Sequence, residues 1–155
     1  MAAAIGQDEG LLTLDDSPRK HLPYFKLSDP EADALVTLRD MLSHRTGLRG
    51  YADLAAEPSV LTREEYVRAA MSAKPGAKLR AQFQYSNAMY TAVGEILARA
   101  NRTTWERVIE TKVLAPLGMR SSFASIFDAK AADRATGYVY DEATKTWRVT
   151  RRRRP

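Results

Sequence analysis

Two side chains able to handle protons and amides stand two positions apart in this sequence, in Tyr85-Ser86-Asn87. A phenol can give or take a proton and a carboxamide can hold an amide, so at a helix entrance the pair suits one wall of an acyl-transfer cleft. Neither group performs acyl transfer alone, and the nucleophile must stand elsewhere. Other chemistries find little support. The chain has no Cys, which removes thiolate chemistry and disulfides, and its only two His, at positions 21 and 44, make no cluster with metal-ligand spacing. We expect neither a metal nor a cofactor.

The elements that must hold Tyr85 and Asn87 are legible around them. Residues 86 to 100 carry Met89, Val93, Ile96, Leu97 and Ala100 as one apolar stripe at spacings of three and four, the strongest amphipathic helix in the chain. Ser86 and Asn87 suit its N-terminal cap. Upstream, Thr62-Arg63-Glu64-Glu65 is a capping pattern ahead of Tyr66, Val67, Ala70 and Met71, a helix that stops before Pro75-Gly76. Thr37-Leu38-Arg39-Asp40 repeats the pattern for a short helix over about residues 37 to 44, ended by Gly47 and Gly50.

The Ala-rich start reads as the end of a helix closed near Gly10. Pro18, Pro23 and Pro30 exclude a long helix or central strand from residues 17 to 30, a surface connection anchored by Leu22, Tyr24, Phe25 and Leu27. Thr103-Thr104-Trp105-Glu106 opens a helix carrying Val108, Ile109, Val113 and Leu114, and Pro116-Leu117-Gly118-Met119 closes it. Two β-rich runs, 137 to 141 and 146 to 150, flank Glu142-Ala143-Thr144-Lys145 as a hairpin.

With 155 residues, 45% hydrophobic and 28% charged, the chain is one domain with a core or a piece of one. No apolar run approaches the roughly 18 residues of a membrane helix. Met1 to Asp8 lacks a basic stretch and meets an acid too early for a secretory signal, which leaves the compartment open. The net charge is +5, and Arg151 to Arg154 supply four of it, leaving 5 − 4 = +1 for the body. We divide the chain into a body of residues 1–150 and an Arg-rich tail of 151–155. The tail could touch phosphates, but without an aromatic-interleaved basic patch elsewhere it reads as a disordered end or the scar of a disrupted reading frame.

Four collinear segments together resemble the serine β-lactamase and penicillin-binding-protein superfamily, on its class C β-lactamase, DD-peptidase and esterase side. Residues 10–16 are similar to its "EGKLSLDDPV" stretch, Leu42-Ser43-His44-Arg45-Thr46-Gly47-Leu48 to "LLSHTSGL", Pro75-Gly76 with Tyr85-Ser86-Asn87 to "PG...YSN", and residues 114–119 to the "PLGM" helix end. The resemblance covers about residues 2 to 142. It implies an α+β fold of the serine β-lactamase/DD-peptidase type, with this chain chiefly the helical lobe plus a short C-terminal hairpin. Residues 1–150 would be a partial domain. Apolar helix faces left without their sheet would make it poorly stable alone or prone to self-association.

In that family a Ser-x-x-Lys, the Tyr-x-Asn and a Lys-Thr-Gly or His-x-Gly line the cleft. The resemblance implies that Tyr85 handles protons and Asn87 holds a substrate amide, on a small or peptidoglycan-like acyl substrate. A phenol, with a reference pKa of about 10, is a poor base unless a cation lowers it. That cation would come from the Ser-x-x-Lys, which the family places upstream of Met1. The only literal match, Ser17-Pro18-Arg19-Lys20, falls after the first helix and lacks apolar residues that would bury it. Arg45-Thr46-Gly47 imitates Lys-Thr-Gly within a turn, and Lys145-Thr146-Trp147 lacks the glycine. His44 is expected to satisfy local backbone groups. The expectation is therefore a fragment of a serine hydrolase, silent by itself. The alternative is a non-catalytic binding protein that keeps the cleft wall, and an upstream Ser-x-x-Lys would separate the two.

Overall fold

Helix α1 (Ala2–Asp8) ends in the way its glycine dictates, in a computed structural model that describes residues 1–49, 61–125 and 135–149. Gly10 takes φ +72°, and the N–H groups of Gly10 and Leu11 turn back to the carbonyls of Gln7 and Gly6, satisfying the last turn. The proline-rich connection follows, with only a 3-10 turn at Pro18–Lys20. It does more than hug the surface, because Leu22, Phe25 and Leu27 are buried core residues and only Tyr24 stays partly exposed.

Helix α2 (Pro30–Leu35) was not expected. Asp29 caps it by accepting from the Glu31 and Ala32 amides, and Pro30 occupies the first turn, where its missing N–H costs nothing. Helices α3 (Leu38–Leu42) and α4 (Arg63–Met71) both begin in full capping boxes, Thr37 with Asp40 and Thr62 with Glu65. The long helix is α5 (Asn87–Ala100). Helix α6 (Trp105–Ile109), capped by Thr104, runs straight into a π turn at Glu110–Leu114. Strands β1 (Tyr138–Asp141) and β2 (Thr146–Val149) form an antiparallel hairpin, with Tyr138 opposite Val149 and Asp141 opposite Thr146.

Helix α5 is the hub, and α1, α3, α4 and α6 all pack on it. Met89, Val93, Ile96 and Leu97 of the expected stripe are buried there, joined by Ala88 and Ala92. Burying side chains such as Met89 and Ile96 contributes about 1.5–3 kcal/mol each. The architecture is α+β, mostly helical, with the two-stranded hairpin at its C-terminal end. No helix among the described residues is long and apolar enough to cross a membrane. Gly50 and the tail of residues 151–155 lie outside the described residues.

Candidate active site

Tyr85 is delivered to the surface by two lengths of chain laced together in antiparallel order, although neither is a regular strand. From the outer end inward, the Gly76 N–H donates to Gly47 O at 2.9 Å, Arg80 N–H to Arg45 O at 2.7 Å and Gln84 N–H to His44 O at 2.8 Å. Ser86 N–H then donates to Nδ1 of His44 at 3.2 Å, and the Tyr90 hydroxyl to Leu42 O at 2.8 Å. The turn that contains Arg45-Thr46-Gly47 is thus the support of the loop before α5. Gly47 is required there: its φ is +85°, and a Cβ would stand 2.2 Å from the Ala77 carbonyl oxygen.

One ion pair fixes the loop from the other side. Arg80 reaches back to the buried carboxylate of Asp40, the capping residue of α3, and to the Leu35 carbonyl. Burial works to raise the Asp40 carboxyl, but the Arg80 guanidinium and the Thr37 hydroxyl and amide outweigh it and hold the group below the ordinary carboxylate range. Sequence patterning could find Asp40 through its capping box. It gave no sign of Arg80, 40 positions away.

At the end of this support the Tyr85 hydroxyl donates to Asn87 Oδ1 at 3.0 Å, so the two singled-out side chains share one hydrogen bond at the mouth of α5. Tyr85 is 55% exposed, and Phe83 and Tyr90 beside it are also open to solvent. All three rings surround the buried imidazole of His44, with centroids at 4.6, 5.3 and 4.9 Å respectively. His44 does satisfy a backbone group as expected, but a remote one, which no local reading of its turn could reveal.

Ser86 departs from its expected part. It occupies the N-cap of α5 but makes no side-chain cap, and its Oγ is buried without a hydrogen-bond partner. An unpartnered hydroxyl of this kind costs about 1–3 kcal/mol. Its amide is already committed to His44, so the chain enters α5 at an angle that points Oγ inward instead of over the first turn.

Beside Asn87 a cavity of about 300 Å³ opens between α4, α5 and α6, lined by Arg63, Asn87, Tyr90, Thr91, Gly94 and Trp105. Trp105 packs against Gly94 of α5. The Arg63 guanidinium lies 5.4 Å from the Trp105 ring centre and is ion-paired with Glu106. The cavity therefore presents an indole wall beside cations and anions already matched.

The other literal motif matches do not converge on Tyr85. Lys20 donates to Asp16 Oδ1 at 2.8 Å, and Ser17 merely precedes the 3-10 turn, so the ammonium that would have to activate Ser17 serves a carboxylate instead. Lys145 sits in the hairpin turn with φ +55° and pairs with Glu142. Among the described residues no group of three or more His, Cys, Asp or Glu could hold a metal ion.

The chain also matches known proteins. The family model described as Beta-lactamase matches residues 1–155. Protein flp of Staphylococcus aureus (strain COL) is 27% identical over 140 residues, which is 88% of this chain but 28% of that protein. The octameric penicillin-binding protein homologue from Pyrococcus abyssi superposes with a TM-score of 0.75 at 29% identity, over 96% of this chain and 35% of the other. EstCE1, a hydrolase with promiscuous acyltransferase activity, gives 0.76 at 26% identity, over 97% and 42%. The chain thus spans less than half the length of each of these proteins.

Proposed function

The chain belongs to the Beta-lactamase family, and on that premise we propose that Tyr85 and Asn87 form one wall of a serine-hydrolase site for amide, β-lactam or ester bonds. The reaction runs through an acyl-serine intermediate. A serine hydroxyl attacks the substrate carbonyl, its proton passes to the base and then to the departing amine or alcohol, and water releases the acyl group. Tyr85 relays that proton and Asn87 holds the amide of the acyl side chain. The observation that carries this reading is the 3.0 Å hydrogen bond between the Tyr85 hydroxyl and Asn87 Oδ1 at an exposed helix mouth. It fixes a proton-relaying group and an amide-binding group relative to each other before substrate arrives, which is what an acyl-transfer cleft needs. A penicillin-binding protein homologue and an acyl-transferring hydrolase among the structural neighbours support the same substrate class.

Among the described residues no Ser-x-x-Lys opens a buried helix and no Lys-Thr-Gly or His-x-Gly lies on a strand. On that ground we expect a fluorophosphonate or penicillin probe to leave residues 1–155 unlabelled when they are tested alone. Rapid stoichiometric labelling would overturn that. The role of Tyr85 is tested in a chimaera that carries residues 1–155 in place of the matched segment of EstCE1. There Tyr85→Phe should lower turnover of a p-nitrophenyl ester by about 10² or more, the usual contribution of a positioned acid–base group. An undiminished rate would remove Tyr85 from the chemistry.

A further inference from the structure

Tyr85 is bracketed by a single residue. The amide before it, of Gln84, donates to the His44 carbonyl at 2.8 Å, and the amide after it, of Ser86, donates to the His44 ring at 3.2 Å. The ring of His44 also lies 4.6 Å from that of Tyr85, tilted by 41°. We propose that His44 is the positioning residue for Tyr85: the Nδ1 lone pair of its imidazole seats the Ser86 amide while the ring supports the phenol. The inference concerns placement, and its consequence for catalysis rests on the function proposed above.

Three features point the same way. A ring nitrogen that accepts from an N–H carries no proton, so the neutral His44 bears its hydrogen on Nε2. His44 is only 8% exposed, with a left-handed backbone at φ +57°. That conformation is uncommon for a non-glycine residue, and at this buried position it fixes the direction in which the ring leaves the backbone. Lastly, Ser86 makes no side-chain cap and leaves its hydroxyl unpartnered, so the contact that holds this N-cap residue at the mouth of α5 is the one its amide makes to the imidazole.

The test separates the acceptor from the ring. His44→Asn keeps an sp² acceptor near Nδ1 and tolerates the left-handed backbone but removes the ring. His44→Phe keeps a ring and removes the acceptor, and His44→Ala removes both. Amide hydrogen exchange of the intact chain should show Ser86 exchanging about two- to tenfold faster in the Phe and Ala variants, the effect of one lost hydrogen bond, with protection kept in the Asn variant. The nuclear Overhauser contact between the Tyr85 ring and the Asn87 carboxamide should weaken in His44→Asn, which loses the ring beside the phenol, weaken in His44→Phe, which loses the acceptor, and be lost in His44→Ala. Unchanged Ser86 exchange in His44→Ala would overturn the proposal. So would a loss spread evenly to Ile96 in the middle of α5, which would make His44 only a packing residue. If the Phe variant does not fold, the Ala and Asn variants carry the same contrast. None of these readouts needs turnover, so a catalytic failure of Tyr85 in the chimaera would leave the positioning result standing.

Discussion

The guanidinium of Arg80 closes on both carboxylate oxygens of Asp40, Nε on Oδ1 and Nη2 on Oδ2, each at 2.8 Å. Asp40 is also the N3 residue of the α3 capping box, accepting from the Thr37 amide and hydroxyl. A single buried carboxylate therefore caps the start of α3 and ties down the loop that carries Tyr85. The backbone of Arg80 takes part as well, at φ +64° with its N–H on Arg45 O.

This pair gives stability a defined acid limb. The Asp40 carboxyl is held below the ordinary range when folded, so the unfolded chain, with a reference value of about 3.9, binds its proton first as pH falls. The stabilisation is complete above roughly that value and is lost as pH falls through the lower folded value. Asp40→Asn keeps the volume and loses the charge, at an expected cost of about 1–3 kcal/mol at pH 7. Melting curves of both proteins between pH 3 and 7 check this: the gap in Tm should narrow toward the acid end. A gap that stays constant across the series would mean that the charge on Asp40 does not matter.

Gly47→Ala tests the other fixing point. The methyl group would meet the Ala77 carbonyl oxygen, a backbone atom that cannot rotate away, and the residue would also be held at φ +85°. Strain of this sort costs about 1–3 kcal/mol and should separate the turn from the Gly76 amide that donates to Gly47 O. We expect a lowered Tm together with faster exchange at the Gly76 and Ala77 amides. A variant as stable as the parent, with those amides still protected, would show that the two lengths of chain do not depend on this close approach.

What could be seen in the sequence was local chemistry. Thr37 with Asp40, Thr62 with Glu65 and Gly10 each announce a helix end through groups three or four residues apart, and the stripe from Met89 to Leu97 announces the face that α5 buries. Helix α2 carries the same kind of signal in Asp29-Pro30, obscured by the neighbouring prolines. Partnerships across 40 to 45 residues are not visible: Arg80 with Asp40, Ser86 with His44, and the seat of Ser28 Oγ on Ala73 O. Such pairs exist only after packing has brought the segments together, and no periodicity encodes them. Ser86 shows the opposite error. Its residue type favours a side-chain cap, and tertiary geometry overrode that preference once the amide was taken by the imidazole.

Gly94 sets the depth of the cavity beside Asn87, and replacing it pits two effects of similar size against each other. A helix-interior glycine costs about 0.5–1 kcal/mol relative to alanine, so Gly94→Ala gains that much from the backbone. The new Cβ, however, would lie 2.9 Å from Cδ1 and 3.3 Å from Nε1 of Trp105. The indole is flanked by Arg63, whose guanidinium is itself tied to Glu106, so the ring cannot withdraw without disturbing that pair. Overpacking of this kind costs about 1–3 kcal/mol, and it should win. Gly94→Ala is therefore expected to lower stability by about 1 kcal/mol and to alter Trp105 fluorescence, resolved from Trp147 in a Trp147→Phe background. A raised Tm with unaltered emission would show instead that the indole swings aside freely, and that the close packing of α5 on α6 is not what shapes the cavity wall.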